Sequence, residues 1–376
     1  MSLPRPDVDP GGLLEYSVVF TDRSLNHMSK RFVAVMQDIV DVLRTTYRAQ
    51  TVAVVPGGGT YAMEAVARQL ATGRRCLVVR NGLFSYRWSQ IFDAGSIPAQ
   101  TTLCCARPVS EARHAPWAPP SIDEVLEAIE RTRPEVVFAA HVETAAGMVL
   151  PDDYLRAVAG ATHEVGGLMV LDCIASGALW VDMTDLGVDV LLSAPQKGWS
   201  GSPCAGFVML GEAGRSGVSS TTSTSFAADL RTWLGITEAY TEGQAPYHAT
   251  MPTDTLAHDA ALMLETRDAG LVELRGAQVA LGDRVRAVLE ERGFPSVAAP
   301  GFAAASVVVA YTDDPEIRSG AAFKQVGIQA AAGVPLMCGE GDDFSSFRIG
   351  LFGLDKLADV DGTVGRLEAR LDQLGR

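Results

Sequence analysis

Val188-Asp189-Val190-Leu191-Leu192-Ser193-Ala194-Pro195-Gln196-Lys197-Gly198-Trp199 is the stretch on which the fold turns. An apolar, strand-like segment runs into a lysine set among small residues, with Gly198, Gly201 and Gly206 close by. A lysine at the end of a buried strand loses charge through desolvation, and its free amine attacks carbonyls. Upstream, Leu168-Met169-Val170-Leu171-Asp172 is a second apolar strand that ends on an acid. Taken singly, Lys197 reads as a solvated loop residue and Asp172 as a helix cap. As a pair at two strand ends they match what pyridoxal phosphate requires. The amine forms a Schiff base, and the carboxylate keeps the ring nitrogen protonated.

A third segment supplies the phosphate end. Pro56-Gly57-Gly58-Gly59-Thr60-Tyr61-Ala62-Met63-Glu64 joins a strand to a helix. Unpaired amides and the helix dipole favour an anion there, and the Thr60 hydroxyl adds a donor. The same glycines satisfy a dinucleotide fingerprint, Gly57-x-Gly59-x-x-Ala62. That fingerprint expects an acid about 20 residues on, whereas the next strand ends Val78-Val79-Arg80-Asn81. Arg80 would suit NADP, so an NADP-binding oxidoreductase is an alternative, one that leaves Lys197 and Asp172 without a role.

Outward from these segments, strand-like runs at 51–55, 75–80, 135–140, 167–171, 188–193 and 204–210 alternate with helical patterns. The helical patterns fall near 26–48, 60–71, 84–94, 121–132 and 152–165. Such alternation predicts an α/β fold with a mostly parallel central sheet flanked by helices. Ligands of such sheets bind beyond the carboxyl ends of the strands, where all three segments fall. Ser121-Ile122-Asp123-Glu124 is a capping box. Residues 216–225, rich in Ser and Thr, read as a mobile surface loop. Helices at 255–269 and 272–292, a strand at 305–310 and a closing helix at 355–374 predict a smaller C-terminal α+β domain. The expected division is an arm at 1–25, a large domain at 26–252 and a small domain at 253–376.

Composition narrows the partners. The 376 residues are 47% hydrophobic and 20% charged, enough for a substantial core. A net charge of -14 argues against nucleic acid and anionic membrane, both polyanions. No apolar stretch approaches the ~20 residues that span a bilayer, and the first residues have no secretory apolar region. Six cysteines without a C-x-x-C pair read as buried thiols of a cytoplasmic protein. Six histidines without H-E-x-x-H predict no catalytic metal.

In this setting the chain resembles the class V, fold type I pyridoxal-phosphate aminotransferases of the alanine–glyoxylate/serine–pyruvate type. The matching segments run in family order over nearly the whole chain. They are Asn26–Lys30, Gly57–Glu64, Leu171–Ser176, Ser193–Lys197, Tyr247–Pro252 and Phe347–Gly353. The resemblance implies that Lys197 carries the cofactor and moves the substrate's alpha proton, and that Asp172 pairs with the ring nitrogen. It implies that Gly58, Gly59, Thr60 and Gln196 hold the phosphate, Phe84 stacks on the ring and Thr144 lies near the ring hydroxyl. Tyr247 and Thr250 would reach the phosphate of a second subunit, making a homodimer with shared sites. Arg348 would bind the substrate carboxylate.

One segment departs from the family. Tyr16–Leu25 replaces a Gly/Pro-rich stretch and brings Phe20, Asp22 and Arg23 toward the expected substrate pocket, with Arg23 a candidate substrate-binding residue. The expected activity is ping-pong transamination between a small L-amino acid and a 2-oxo acid. A lyase acting at the beta carbon, or desulfurase-like chemistry, shares the first proton transfer. Cys338, on a glycine-rich loop, lacks the desulfurase motif and reads as an inert thiol. A non-enzymatic binding protein would have no need of Lys197, Asp172 and Arg348 together.

Overall fold

The computed structural model describes residues 24–375. Thr51–Pro56 (β1), Arg75–Arg80 (β2), Gln100–Cys105 (β3), Val136–Ala140 (β4), Leu168–Asp172 (β5), Val190–Ser193 (β6) and Ala205–Leu210 (β7) form a seven-stranded sheet. Their order is β1-β7-β6-β5-β4-β2-β3. β2 to β6 pair in parallel, while β7 runs antiparallel to both β1 and β6. The inner strands are buried along their length, as in Val136–Ala140, which is why they read as continuous apolar runs without alternation.

The topology disposes of the dinucleotide alternative. In such folds the first strand lies mid-sheet between parallel neighbours. Here β1 is an edge strand with an antiparallel partner.

Helices cover the sheet. Lys30–Tyr47 (α1) starts at Ser29, whose hydroxyl accepts from the Phe32 amide at 3.1 Å, and buries Phe32, Met36, Ile39 and Leu43. Gly59–Leu70 (α2) follows β1 and Leu83–Gly95 (α3) follows β2. The Ser121 cap is present, with the Glu124 amide donating to its hydroxyl. Leu256, Ala260 and Met263, from helix Thr253–Asp268, pack in the same core as α1.

A second core holds Leu281, Val285 and Leu289 of helix Leu271–Glu291 against Val307–Tyr311 (β8) and Ser346–Gly350 (β10). With Ala331–Ala332 (β9) these strands form an antiparallel sheet of order β8-β10-β9. A third cluster joins the two units, with Val142, Ala145 and Met148 packed on Val307, Val309 and Leu336.

Two expectations change, and two elements come without one. Residues 216–220 are the end of a helix, Glu212–Ser220, because Gly214 and Val218 are buried and outweigh the polar composition. The closing helix is two helices, Leu354–Ala358 and Val360–Gln373, broken at Asp359, whose carboxylate caps the second through the Gly362 amide. Strand β3 gave no apolar run to read, since Gln100, Thr101 and Leu103 are exposed at the sheet edge. Helix Leu230–Thr241, which Asp229 caps by accepting from the Thr232 amide at 3.0 Å, is likewise an element beyond those expected.

Candidate active site

The carboxyl ends of the parallel strands gather at one edge. Asp172 lies opposite Leu192 of β6 and Ala140 of β4, and Arg80 lies opposite Cys105. Because β7 is reversed, its first residues meet the last of β1, with Val55 opposite Gly206. A Cβ at Gly206 would stand 2.4 Å from Ala62 Cβ and 2.7 Å from Gly58 O, so only glycine lets the phosphate-side turn approach β7.

That turn enters α2 through Gly57 and Gly58, with φ of +120° and +152°, conformations that favour glycine. Gly58 offers no side-chain cap, which leaves the first amides of α2 free to meet an anion. Thr60 Oγ1 accepts a hydrogen bond from Arg87 Nη1 at 3.1 Å.

Arg87 stands on α3, one turn after Phe84, and its guanidinium carbon lies 5.3 Å from the Phe84 ring centroid. Arg348 approaches the same ring at 5.7 Å from the C-terminal sheet. Its Nε donates to Ala332 O at 2.9 Å, which aims the guanidinium. Desolvation holds its pKa below the usual arginine value.

Lys197 sits in the turn after β6, with Nζ 4.9 Å from the Phe352 ring centroid. Burial, and then the charge of Arg348, lowers its pKa and enlarges its share of free amine. The turn is tightly seated, since a Cβ at Gly198 would come within 2.2 Å of Gly177 O.

Asp172 is buried at the end of β5, where its Oδ1 accepts from the Ile174 amide at 2.8 Å. Desolvation raises its pKa to about 6, with Glu143 adding in the same direction and Arg87 opposing. A buried carboxylate with one strong donor has capacity to spare for a protonated ring nitrogen.

Two residues of this constellation went unread in the sequence. Arg87 lies three residues after Phe84, a spacing that puts both on one helix face. Glu143 is buried beside Thr144 and organises α3. It accepts from the Phe84 amide at 3.2 Å, the Ser85 amide at 2.8 Å, the Ser85 hydroxyl at 2.7 Å and the Ala145 amide at 3.0 Å. Burial raises its pKa against these four donors.

Gly58, Gly59, Thr60, Phe84, Asp172, Gln196, Lys197 and Arg348 therefore share one edge of the fold. Thr144 is buried next to Glu143. Tyr247 and Thr250 do not join the group. They are exposed in a depression with Ser24, His27 and Asp254, where the Tyr247 ring lies 5.7 Å from that of His27. Phe20, Asp22 and Arg23 lie outside the described residues.

Pyridoxal phosphate suits the residues present. The uncapped α2 N-terminus offers amides to a phosphate, and the Gln196 side-chain oxygen is buried without a partner among the described residues. Such orphaned polar atoms are costly unless a ligand or water meets them. Among the described residues, no group of three or more His, Cys, Asp or Glu side chains is placed to hold a metal ion. Among the described residues, no helix is long and apolar enough to cross a membrane.

No family model matches the chain. In sequence it is similar to a Synechococcus protein named as a soluble hydrogenase small subunit, at 26% identity over 100% of this chain and 93% of that one. It is also similar to the 2-aminoethylphosphonate–pyruvate transaminase of Burkholderia mallei, 29% identical over 94% of this chain and 90% of that protein. In fold it is similar to the alanine–glyoxylate aminotransferase of Nostoc sp., with a TM-score of 0.78 at 22% identity. That match covers 93% of this chain and 89% of the other.

Proposed function

We propose that this chain, a class V, fold type I pyridoxal-phosphate aminotransferase by its likeness in sequence and fold, moves an amino group between a small L-amino acid and a 2-oxo acid. Alanine or serine as donor and pyruvate or glyoxylate as acceptor suit this reading. The relatives' names pair transamination with those two oxo acids. The observation that carries it is the chain of contacts Lys197–Phe352, Arg348–Phe84–Arg87 and Arg87–Thr60 beside buried Asp172.

Each residue has a proposed task. Pyridoxal phosphate, when bound, supplies a sink for the electrons left when the substrate's alpha proton departs. Lys197 Nζ would hold the cofactor before substrate arrives and, once the substrate amine has displaced it, would take that alpha proton, a role its lowered pKa favours. Asp172 would keep the ring nitrogen protonated, Phe84 would lie against the ring, and Thr144 would stand near the ring hydroxyl. Gly58, Gly59, Thr60 and Gln196 hold the phosphate. Arg348 grips the substrate carboxylate with a planar, two-pronged donor set and so orients the alpha hydrogen.

The proposed assembly is a cytoplasmic homodimer. Tyr247 and Thr250 would reach the phosphate of the partner copy. Support comes from the exposure of Tyr247, at 58%, and of Tyr61, at 61%, beside the phosphate turn. Free cysteines at all six positions suit a reducing compartment. Residues 1–25 are proposed as an arm, 26–252 as the cofactor domain and 253–376 as the small domain, joined through helix Thr253–Asp268.

An absorption spectrum tests the reading. The purified protein should show a near-visible cofactor band that Lys197→Ala loses and that bleaches on adding L-alanine or L-serine. Formation of the matching 2-oxo acid, with return of the band on adding pyruvate or glyoxylate, would establish transamination. Absence of any band after adding pyridoxal phosphate would refute it. Ammonia and pyruvate released without an acceptor would mark a lyase instead.

A further inference from the structure

Cys105 and Cys338 are 233 positions apart in sequence. They nevertheless meet beside the candidate site. Cys105 is the last residue of β3, opposite Arg80 of β2. Arg80 O accepts from the Ala106 amide at 2.8 Å and from the Cys338 thiol at 3.4 Å. The same carbonyl therefore ties the chain just after Cys105 to the sulfur of Cys338, and the two thiols perturb each other's titration.

The loop that brings Cys338 there is preformed. Glu340 accepts from the amides of Leu336, Met337 and Cys338, the last two at 2.8 and 2.9 Å. Met337 is held at φ +62°, a conformation seldom adopted without a constraint of this kind. Arg80 Nη1 also donates to Met337 O at 3.3 Å, binding the loop to β2.

We propose that Cys105 and Cys338 form a reversible disulfide that fastens loop 335–341 of the C-terminal unit to the sheet edge of the large unit. The attacking group is Cys105. Its thiolate is favoured by the nearby Cys338 sulfur group and by the charges of Arg80 and Arg107. Its neighbour Cys104 faces the core, where burial pushes the thiol up to about 11. Burial likewise pushes Cys76 up to about 12 and raises Cys173 and Cys204 further.

The oxidant is a small disulfide of the glutathione class. Cys105 Sγ attacks one of its sulfurs, the S–S bond breaks, and one glutathione leaves as a thiolate that takes up a proton. Cys338 then loses its proton, and its sulfur attacks Cys105 Sγ and expels the second glutathione. Two protein thiols are oxidised, and one disulfide is reduced to two thiols. The loop leads into β10, which carries Arg348, so the bond links thiol state to the strand that aims the guanidinium.

The test uses the full-length holoprotein treated with oxidised glutathione, then alkylated and analysed by intact mass and peptide mapping. The expected result is loss of two hydrogens and a cross-linked peptide joining Cys105 to Cys338, reversed by dithiothreitol. In C338S the reaction should stop at a glutathione adduct on Cys105. In C105S adduct formation should fall at least about tenfold. Separate alkylation of both thiols in the treated wild type, a lasting wild-type adduct on Cys105, or linkage of any other pair would overturn the proposal.

Discussion

Arg87 donates a hydrogen bond to Thr60 at 3.1 Å and thereby joins the start of α3 to the phosphate-side turn of α2. This contact puts a guanidinium at the end of the site where the proposed phosphate lies, with the Phe84 ring beneath it. A charged donor to a phosphate contributes roughly 1.5–3 kcal/mol. Arg87→Leu is therefore expected to weaken pyridoxal-phosphate binding by about 10- to 100-fold. Titration of the apo-protein by fluorescence quenching measures this. An unchanged affinity would remove Arg87 from the cofactor site.

Asp172 gives a pH signature. Burial raises its folded-state pKa from 3.8 to about 6, so between those values the folded apo-protein binds more protons than the unfolded chain. Its contribution to stability therefore falls as pH rises through that window and is flat above it. Glu143, also raised by burial, acts in the same direction. Thermal melts of the apo-protein from pH 4 to 7 should show a decline that Asp172→Asn makes shallower. The same variant should keep its cofactor yet lose about 100- to 10,000-fold in turnover. A melt profile identical to wild type would count against the burial argument.

Arg348 offers a test of substrate orientation. Lysine keeps the charge but loses the planar fork that matches a carboxylate. Arg348→Lys is expected to raise KM for both amino acid and oxo acid by about tenfold or more, with the resting spectrum unchanged. A variant whose kcat alone falls would point to a role other than carboxylate binding.

Gly198 tests how firmly the Lys197 turn is seated. An added methyl would come within 2.2 Å of Gly177 O, backbone that cannot swing aside. Gly198→Ala should destabilise the protein by about 1–3 kcal/mol in urea unfolding and diminish the cofactor band. Wild-type stability with a full band would mean that the two turns part easily.

Most of the framework was legible in the sequence because its signals are local. Val136–Ala140 and Leu168–Asp172 announce buried parallel strands by unbroken apolar runs, and Ser121 with Glu124 announces a helix start. Edge strand Gln100–Cys105, half polar, carries no such run. Helix Glu212–Ser220 hides in a stretch of serines because what holds it is burial of Gly214 and Val218 against distant chain.

The sequence by itself determined where the proposed catalytic pair and the proposed phosphate turn stand. Lys197, Asp172 and Gly57–Thr60 each stand at the end of an apolar run, and a strand end is a local property. Only the tertiary structure decided what surrounds them. Arg348 reaches Phe84 from a separate sheet, Arg87 turns toward Thr60, and Cys338 meets Cys105. Those contacts follow from strand order and register, which residues far apart in the chain establish together by burying a shared core, and no window of sequence contains them.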